Sequence, residues 1–389
     1  MNRYQEGLTG FFERYESEHI VEYSPEENAL LHQFDQCINC GLCLNECVVL
    51  RNLVSVDTEF AGPRHIGISL SRSLNEAWTT SDTIYHCTLC GACEAVCPGN
   101  VPIPAMVEMV RSKIYRQSED ATPRALRAMD ANLNETGNIY GQNLEPLTHH
   151  DEQPEYVLFA GCVGTYLERE SLAQTMALLT QLGVRFTTVD EVCCGGPTVV
   201  AGTPMSEELV ERNLNAILAS GANKVLTECP RCYLTLSRHP GYADQLDVLH
   251  TVEFLSRFDW PALTDEVVTY HDPCEIGRTT GDYDSPRKIL SQVTPHYVEM
   301  PNTKESTVCC GAGGGLRGIS PRLSINIARN RLEEALGAGT QVLVTECSSC
   351  LHNFRNARRS RDKIEIYSLS EYLSLKKSSP SIGVQSRKG

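Results

Sequence analysis

Ten of the eighteen cysteines fall into two copies of one pattern. The first copy is Cys162, then Cys193-Cys194-Gly195, then Cys229 and Cys232; the second is Cys274, then Cys309-Cys310-Gly311, then Cys347 and Cys350. Each copy joins a distant single thiol, a vicinal pair and a C-x2-C. Free cysteine is retained for reactivity more often than for packing, and thiolates gathered in one place repel each other unless a cation holds them. Two five-thiol metal centres follow, with the vicinal pairs Cys193, Cys194, Cys309 and Cys310 as the candidates for catalysis. Zinc sites or inert buried thiols are the alternatives for the same residues. A thioredoxin-like reading of the C-x2-C pairs leaves the Cys-Cys-Gly pairs without a purpose.

The other eight cysteines are Cys37, Cys40, Cys43 and Cys47, and fifty residues later Cys87, Cys90, Cys93 and Cys97, followed by Pro98. Each run is C-x2-C-x2-C-x3-C, and so resembles two-cluster bacterial ferredoxins, in which the fourth cysteine of each run serves the other cluster. The expected ligand sets are Cys37, Cys40, Cys43 and Cys97 for one cubane, and Cys87, Cys90, Cys93 and Cys47 for the other. Gly41 and Gly91 would let backbone N–H groups turn toward sulfide. The insert from Arg51 to Asp82 is longer than a compact ferredoxin needs and is expected to add a helix.

The elements that must position these thiols also show a duplication. Lys224-Val-Leu-Thr-Glu-Cys229-Pro-Arg-Cys232 aligns with Gln341-Val-Leu-Val-Thr-Glu-Cys347-Ser-Ser-Cys350, and the segment from Asp247 aligns with the one from Glu365, both at an offset of 118 residues. A repeat this long is a duplicated domain. Within each copy, short β-branched runs such as 156–160 and 267–271 alternate with helical stretches such as 205–220 and 321–336, the pattern of βαβ units around a parallel sheet. The cysteines fall just after the strands, on the edge where open α/β sheets bind ligands.

The expected fold class is therefore α+β with α/β: a helical two-cluster ferredoxin domain followed by two duplicated parallel-sheet cysteine-rich domains. The expected boundaries are an N-terminal helical extension at 1–30, the ferredoxin domain at 31–118, a surface-wrapping linker at 119–154, cysteine-rich domains at 155–262 and 263–375, and a disordered tail at 376–389. Short amphipathic helices are expected over 1–36, and a helix over 101–118 with Ile103, Met106, Val107, Met109, Val110 and Ile114 on one side.

A formal charge of -15 argues against nucleic acid as a partner, and Arg355, Arg358, Arg359 and Arg361 read as a solvated helix end. No apolar run is long enough to span a membrane. Residues 1–20 show no apolar signal segment, which makes a reducing cytoplasm the expected location, with peripheral attachment to a membrane through a partner as the variant of it. Gly313 to Gly318 formally fits G-x-G-x-x-G, but it follows cysteines and no clean strand. Gly195, Gly311 and Gly313 read better as points where backbone approaches a cluster. His271 is a candidate proton donor or a structural histidine. Arg278 and Arg317 could hold an anionic substrate or balance cluster charge.

From Cys37 to Leu373 the chain resembles heterodisulfide reductase, its two-cluster module and paired Cys-Cys-Gly repeats matching the D subunit, or the C and B subunits of the two-chain form. Related architectures are found in the C subunit of anaerobic glycerol-3-phosphate dehydrogenase and the D-type subunit of large benzoyl-CoA reductases. The resemblance implies an oxidoreductase subunit in which two cubane [4Fe–4S] clusters feed two non-cubane [4Fe–4S] clusters. These would sit on Cys162, Cys193, Cys194, Cys229 and Cys232, and on Cys274, Cys309, Cys310, Cys347 and Cys350, with a disulfide cleaved between them. It also implies partner redox subunits, a flavoprotein of the heterodisulfide reductase A type or a membrane cytochrome b. A relay role, with the chemistry in a partner, is the alternative.

Overall fold

The computed structural model describes residues 24–53, 60–66, 80–377 and 385–386. Of the helices expected over 1–36, Pro25–Phe34 is present, started by a Ser24/Glu27 capping box; residues 1–23 lie outside the described residues. The first cysteine module is helical, with short helices Leu42–Glu46, Val48–Asn52 and Ala92–Ala95 set around the thiols. Helix Ile103–Gln117 then buries Ile103, Met106, Val107, Met109, Val110 and Ile114, the face that its periodicity predicts. Within the insert the described pieces are single turns, Pro63–His65 and Ser81–Ile84.

Where an irregular linker is expected, Arg124–Thr136 is a helix, ended by Gly137 in the left-handed conformation. Its apolar residues Leu126 and Leu133 are buried although most of its surface is polar. An amphipathic helix with so narrow an apolar stripe is hard to see between Pro123 and Gly137 because tertiary packing provides most of its stability. Only 137–155 runs as irregular chain.

The duplicated part forms two parallel sheets. In the first, β1 (Tyr156–Leu158), β2 (Phe186–Thr187), β3 (Lys224–Thr227) and β4 (Asp247–His250) are ordered β2-β1-β3-β4. A two-residue strand, β5 (Phe258–Asp259), follows and pairs antiparallel with Gln385–Ser386 in the C-terminal tail. In the second sheet, β6 (Val268–Tyr270), β7 (Val342–Thr345) and β8 (Glu365–Ser368) are ordered β6-β7-β8. A parallel bridge from Val268 to Tyr297 stands where the first copy has β2. Helices Glu207–Ala219 and Pro321–Gly337 occupy matching places in the two copies.

The two sheets share one hydrophobic cluster, to which Leu158, Leu172 and Phe186 come from the first copy and Tyr270, Ile289 and Val344 from the second. Helices Arg169–Gln181 and Leu369–Lys377 pack together across the seam. Polar contacts close it: Ser171 Oγ donates to Ser368 Oγ at 2.9 Å, and Arg355 binds both Glu168 and Glu371. Arg355 is thus a clamp between domains, because two acids from different elements converge on it, and not the solvated helix end that its arginine-rich neighbourhood suggests.

His250 caps helix Thr251–Leu255 by accepting the Val252 N–H at Nδ1 while its Nε2 faces the Glu228 carbonyl at 3.2 Å. Burial lowers its pKa to about 3 from the ordinary 6.5. The unfolded chain therefore takes up the proton first, and the neutral ring's contribution to stability is lost as pH falls from 6.5 toward 3, by up to about 1.4 kcal/mol per pH unit. His250→Gln is expected to show a shallower loss of stability between pH 6.5 and 4 than the wild type in denaturant titrations at fixed pH; equal slopes would contradict this.

Candidate metal centres

None of the eighteen cysteines is in a disulfide. In the N-terminal module the two cysteine loops have the same backbone: Asn39 and Leu89 at φ 60° and 58°, then Gly41 and Gly91 at φ 79° and 73° leading into a short helix. A positive φ at Leu89 is unfavourable for a side chain with a Cβ, and such strain is typical of ligand-holding loops. Leu89 N–H donates to Cys87 Sγ at 3.4 Å. Burial and then repulsion from Cys37, Cys40 and Cys97 push the Cys43 thiol up. Burial pushes Cys47 up to about 12, with Cys87 and Cys90 as its charged neighbours. The crossed sets that the spacing predicts are thus together in space. Thiols whose ionisation is this unfavourable in the protein alone suit a cationic guest.

All four strands that precede cysteines, β1, β3, β6 and β7, end within four residues of one: Cys162, Cys229, Cys274 and Cys347. The parallel sheets therefore deliver these thiols to their carboxyl edges. Each five-cysteine set is linked sulfur to sulfur in the same order. In the first, Cys193 contacts Cys162 and Cys194, and Cys232 contacts Cys194 and Cys229. In the second, Cys309 contacts Cys274 and Cys310, and Cys350 contacts Cys310 and Cys347. Cys350 Sγ donates to Cys310 Sγ at 3.0 Å. Hydrogen bonds from Cys309 and Cys350 lower Cys310 to about 5, and hydrogen bonds from Cys193 and Cys232 hold Cys194 well below the usual thiol range.

Nine of the ten thiols, all but Cys309, line one cavity of about 330 Å³ between the two copies. Its wall also carries Tyr140 and Arg317, where Arg317 Nη2 donates to the Tyr140 hydroxyl at 2.9 Å and the buried Nη1 has no partner. The ion pair of Arg231 with Glu275 joins the first copy's C-x2-C to the residue after Cys274. Helix Arg124–Thr136 adds Ala125, Leu126 and Met129. Sulfur-rich and largely buried, these surroundings fit an iron–sulfur group better than scattered inert thiols would.

The N-terminal module meets the second set directly. The Cys90 thiol is hydrogen-bonded to Cys309. Gly313 and Gly314 lie against the Cys87-Thr88 backbone, where a Cβ on Gly313 would stand 2.7 Å from the Thr88 carbonyl, and one on Gly314 would overlap the Cys87 carbonyl. The glycine run thus admits a neighbouring loop, where close approach to a cluster or a dinucleotide is the expectation from its motif. Gly311 N–H does donate to Cys309 Sγ at 3.3 Å, while at the first set the donor is Gly196, beside Gly195, to Cys194 Sγ at 3.4 Å. Arg278 is outside the cavity. Its guanidinium is committed to the carbonyls of Cys90, Glu305 and Thr307, so it ties the two modules together next to Cys90, away from an anionic substrate in the cavity but in keeping with the charge-balancing alternative. His271 is fully buried beside the second set.

Two features have only faint signals in the sequence. The Thr-Glu-Cys shared by both copies places Glu228 and Glu346 in the seam, where Glu346 accepts from Thr251, Ser370 and the Leu369 N–H. Arg111 is the other, a charge within an apolar helix stripe. It is buried completely and donates to the carbonyls of Ile84 and Cys87 in the N-terminal module, Val200 in the first copy and Gly314 in the second, at 2.7–3.1 Å.

Comparison with known proteins agrees with this architecture. Residues 33–101 match the 4Fe-4S dicluster domain family, and 156–237 and 268–355 match the Cysteine-rich domain family. The chain is 28% identical over 375 residues to the D subunit of the dihydromethanophenazine:CoB–CoM heterodisulfide reductase of Methanosarcina acetivorans, covering 85% of this chain and 90% of that one. It is 29% identical over 360 residues to the B subunit of the fumarate reductase (CoM/CoB) of Methanothermobacter marburgensis, covering 88% and 71%. The EtfAB:quinone oxidoreductase of Syntrophomonas wolfei is 28% identical over 333 residues, 75% of this chain and 46% of that one. A hypothetical protein from Helicobacter pylori has a similar fold, with TM-score 0.53 and 10% identity over 97% of this chain and 76% of that one. The chain is an iron–sulfur oxidoreductase subunit that joins a 4Fe–4S dicluster domain to two cysteine-rich domains. Within that class it belongs with the proteins that resemble the D subunit of heterodisulfide reductase.

Removing the Arg111 guanidinium leaves four buried carbonyls short of a donor, each worth about 1–3 kcal/mol. Arg111→Met is expected to lower stability by about 3 kcal/mol or more, and Arg111→Lys to restore only part, because an ammonium cannot span four carbonyls in the guanidinium plane. An unchanged denaturation midpoint for Arg111→Met would sink this assignment.

Proposed function

We propose that this chain carries electrons from two cubane clusters to two non-cubane four-iron clusters, and that a disulfide is reduced in the cavity between them. The ligands would be Cys37, Cys40, Cys43 and Cys97, and Cys87, Cys90, Cys93 and Cys47, for the cubanes. The five-cysteine sets would hold the other two. The observation that carries this reading is the single cavity lined by thiols of both copies. Two sites facing one shared cavity suit a substrate with two sulfurs, each to be bonded and reduced.

Iron at these thiols would supply the one-electron redox capacity that the side chains lack. The chain's own residues do the rest. Contact between Cys90 and Cys309 makes the second set the first to receive electrons from the N-terminal module. Reduction of a disulfide takes two electrons and two protons and releases two thiols. Arg317 and Tyr140, hydrogen-bonded to each other in the cavity wall, would meet a polar or anionic end of the substrate.

A second reading, an electron relay whose catalytic step lies in a partner, is favoured by the differing names of the relatives, one from a fumarate reductase and another an EtfAB:quinone oxidoreductase. In both readings a further redox protein exchanges electrons with this chain, a flavoprotein or a membrane cytochrome b. No described helix is long and apolar enough to cross a membrane.

Iron and acid-labile sulfide counts on anaerobically purified protein separate the readings. Four four-iron centres give about 16 iron per chain, and two cubanes alone give about 8. The expected result is the higher count, with a paramagnetic signal in the oxidised protein that changes on adding thiol. A count near 8 would leave the relay.

A further inference from the structure

The two cysteine sets differ at one matched position. His271 and Phe159 both follow the first strand of their copy, and their N–H groups make the same bond to the next strand, to Val344 and Leu226, each at 2.8 Å. Phe159 gives the first set a hydrocarbon wall. His271 gives the second set an imidazole, of which a ring nitrogen lies within 4.8 Å of the Cys310 and Cys350 sulfurs.

The tautomer of that ring follows from its neighbour. Arg331 Nε donates to His271 Nδ1 at 3.3 Å, and a guanidinium has no acceptor to offer, so Nδ1 carries the lone pair. The hydrogen therefore resides on Nε2, which is buried and has no partner among the described residues. Phe354 stacks edge-on against the ring with centroids 4.8 Å apart, so the ring cannot easily turn away. A buried N–H without an acceptor is rare. Sulfur of the second cysteine set, at Cys310 and Cys350, is acceptor chemistry close to the ring.

We propose that His271 donates its Nε2–H to sulfur at the Cys310/Cys350 side of the second set, and that this donor, matched by Phe159 at the first, makes the second centre the easier of the two to reduce. The inference rests on the presence of iron–sulfur centres at both sets. A hydrogen bond to a cluster sulfur disperses the negative charge added on reduction, which raises the potential. The second set is also the one touching Cys90, so the donor favours electron entry from the N-terminal module. His271 acts here as a positioning and tuning residue and neither as a ligand nor as a proton donor.

The test is a potentiometric titration of the full-length, anaerobically purified holoprotein, read by electron paramagnetic resonance, for the wild type, His271→Phe, His271→Gln and Phe159→His. In His271→Phe one of the two cysteine-rich-domain centres is expected to be about tenfold less reduced at a fixed potential, a shift of about 59 mV for a one-electron couple, with the other centre and the iron content unchanged. His271→Gln, which keeps an N–H donor, is expected to fall between. Phe159→His is expected to shift the other centre the opposite way, and it decides the matter if His271→Phe does not fold. Unaltered potentials at wild-type iron content overturn the inference alone. Loss of about four iron from His271→Phe also overturns it, in favour of ligation. A wild-type count near 8 iron overturns both the inference and the reading beneath it.

Discussion

A single buried guanidinium holds this molecule's three parts in register. Arg111 has no carboxylate partner in hydrogen-bonding range, and its charge is taken up by four backbone carbonyls that belong to the N-terminal module and both cysteine-rich copies. Desolvation alone would make such a charge costly, and burial does lower its pKa, with the Cys87 thiolate as the largest opposing influence. An anionic centre at Cys87 and Arg111 thus support each other. The arrangement seats the Cys87–Cys90 loop on the glycine run of the second copy, close enough for Cys90 to touch Cys309. The proposed electron path between the modules would use that short approach.

Duplication explains the shape of the remainder. Two sheets with the same order of strands bring their carboxyl edges to a common seam, and each delivers five thiols in the same sequence of sulfur contacts. Symmetry at the level of the backbone does not extend to the surroundings. The first set has Phe159 where the second has His271, and the second touches the N-terminal module through Cys90. Equal thiol sets in unequal environments would suit the proposed directional electron path, since cluster potentials respond to hydrogen bonds and exposure around the sulfurs.

Several residues have a different use from the one their neighbourhood in the chain suggests. Gly313 and Gly314 match a phosphate-binding pattern in spacing, yet they admit a neighbouring loop whose carbonyls would collide with a Cβ. Arg278 and Arg355 look like free cations and are instead clamps, one between modules and one between the copies. The segment after Ser118 looks like a polar connection and contains helix Arg124–Thr136, whose apolar stripe forms part of the cavity wall. Each of these roles is set by a partner far away in sequence.

By itself the amino-acid sequence determined the chemistry available: eighteen cysteines at metal-binding intervals, a duplication at an offset of 118 residues, and strands that end just before the thiols. These are local or periodic properties, because ligand spacing and side-chain alternation are properties of short stretches of chain. The helical face of Ile103–Gln117 was legible for the same reason. Only the tertiary structure decided that nine thiols share one cavity, that Arg111 reaches Gly314 across 203 residues, and that the imidazole of His271 lies beside the Cys310 and Cys350 sulfurs. Such contacts follow from how packed surfaces fit together, and no short pattern encodes that fit.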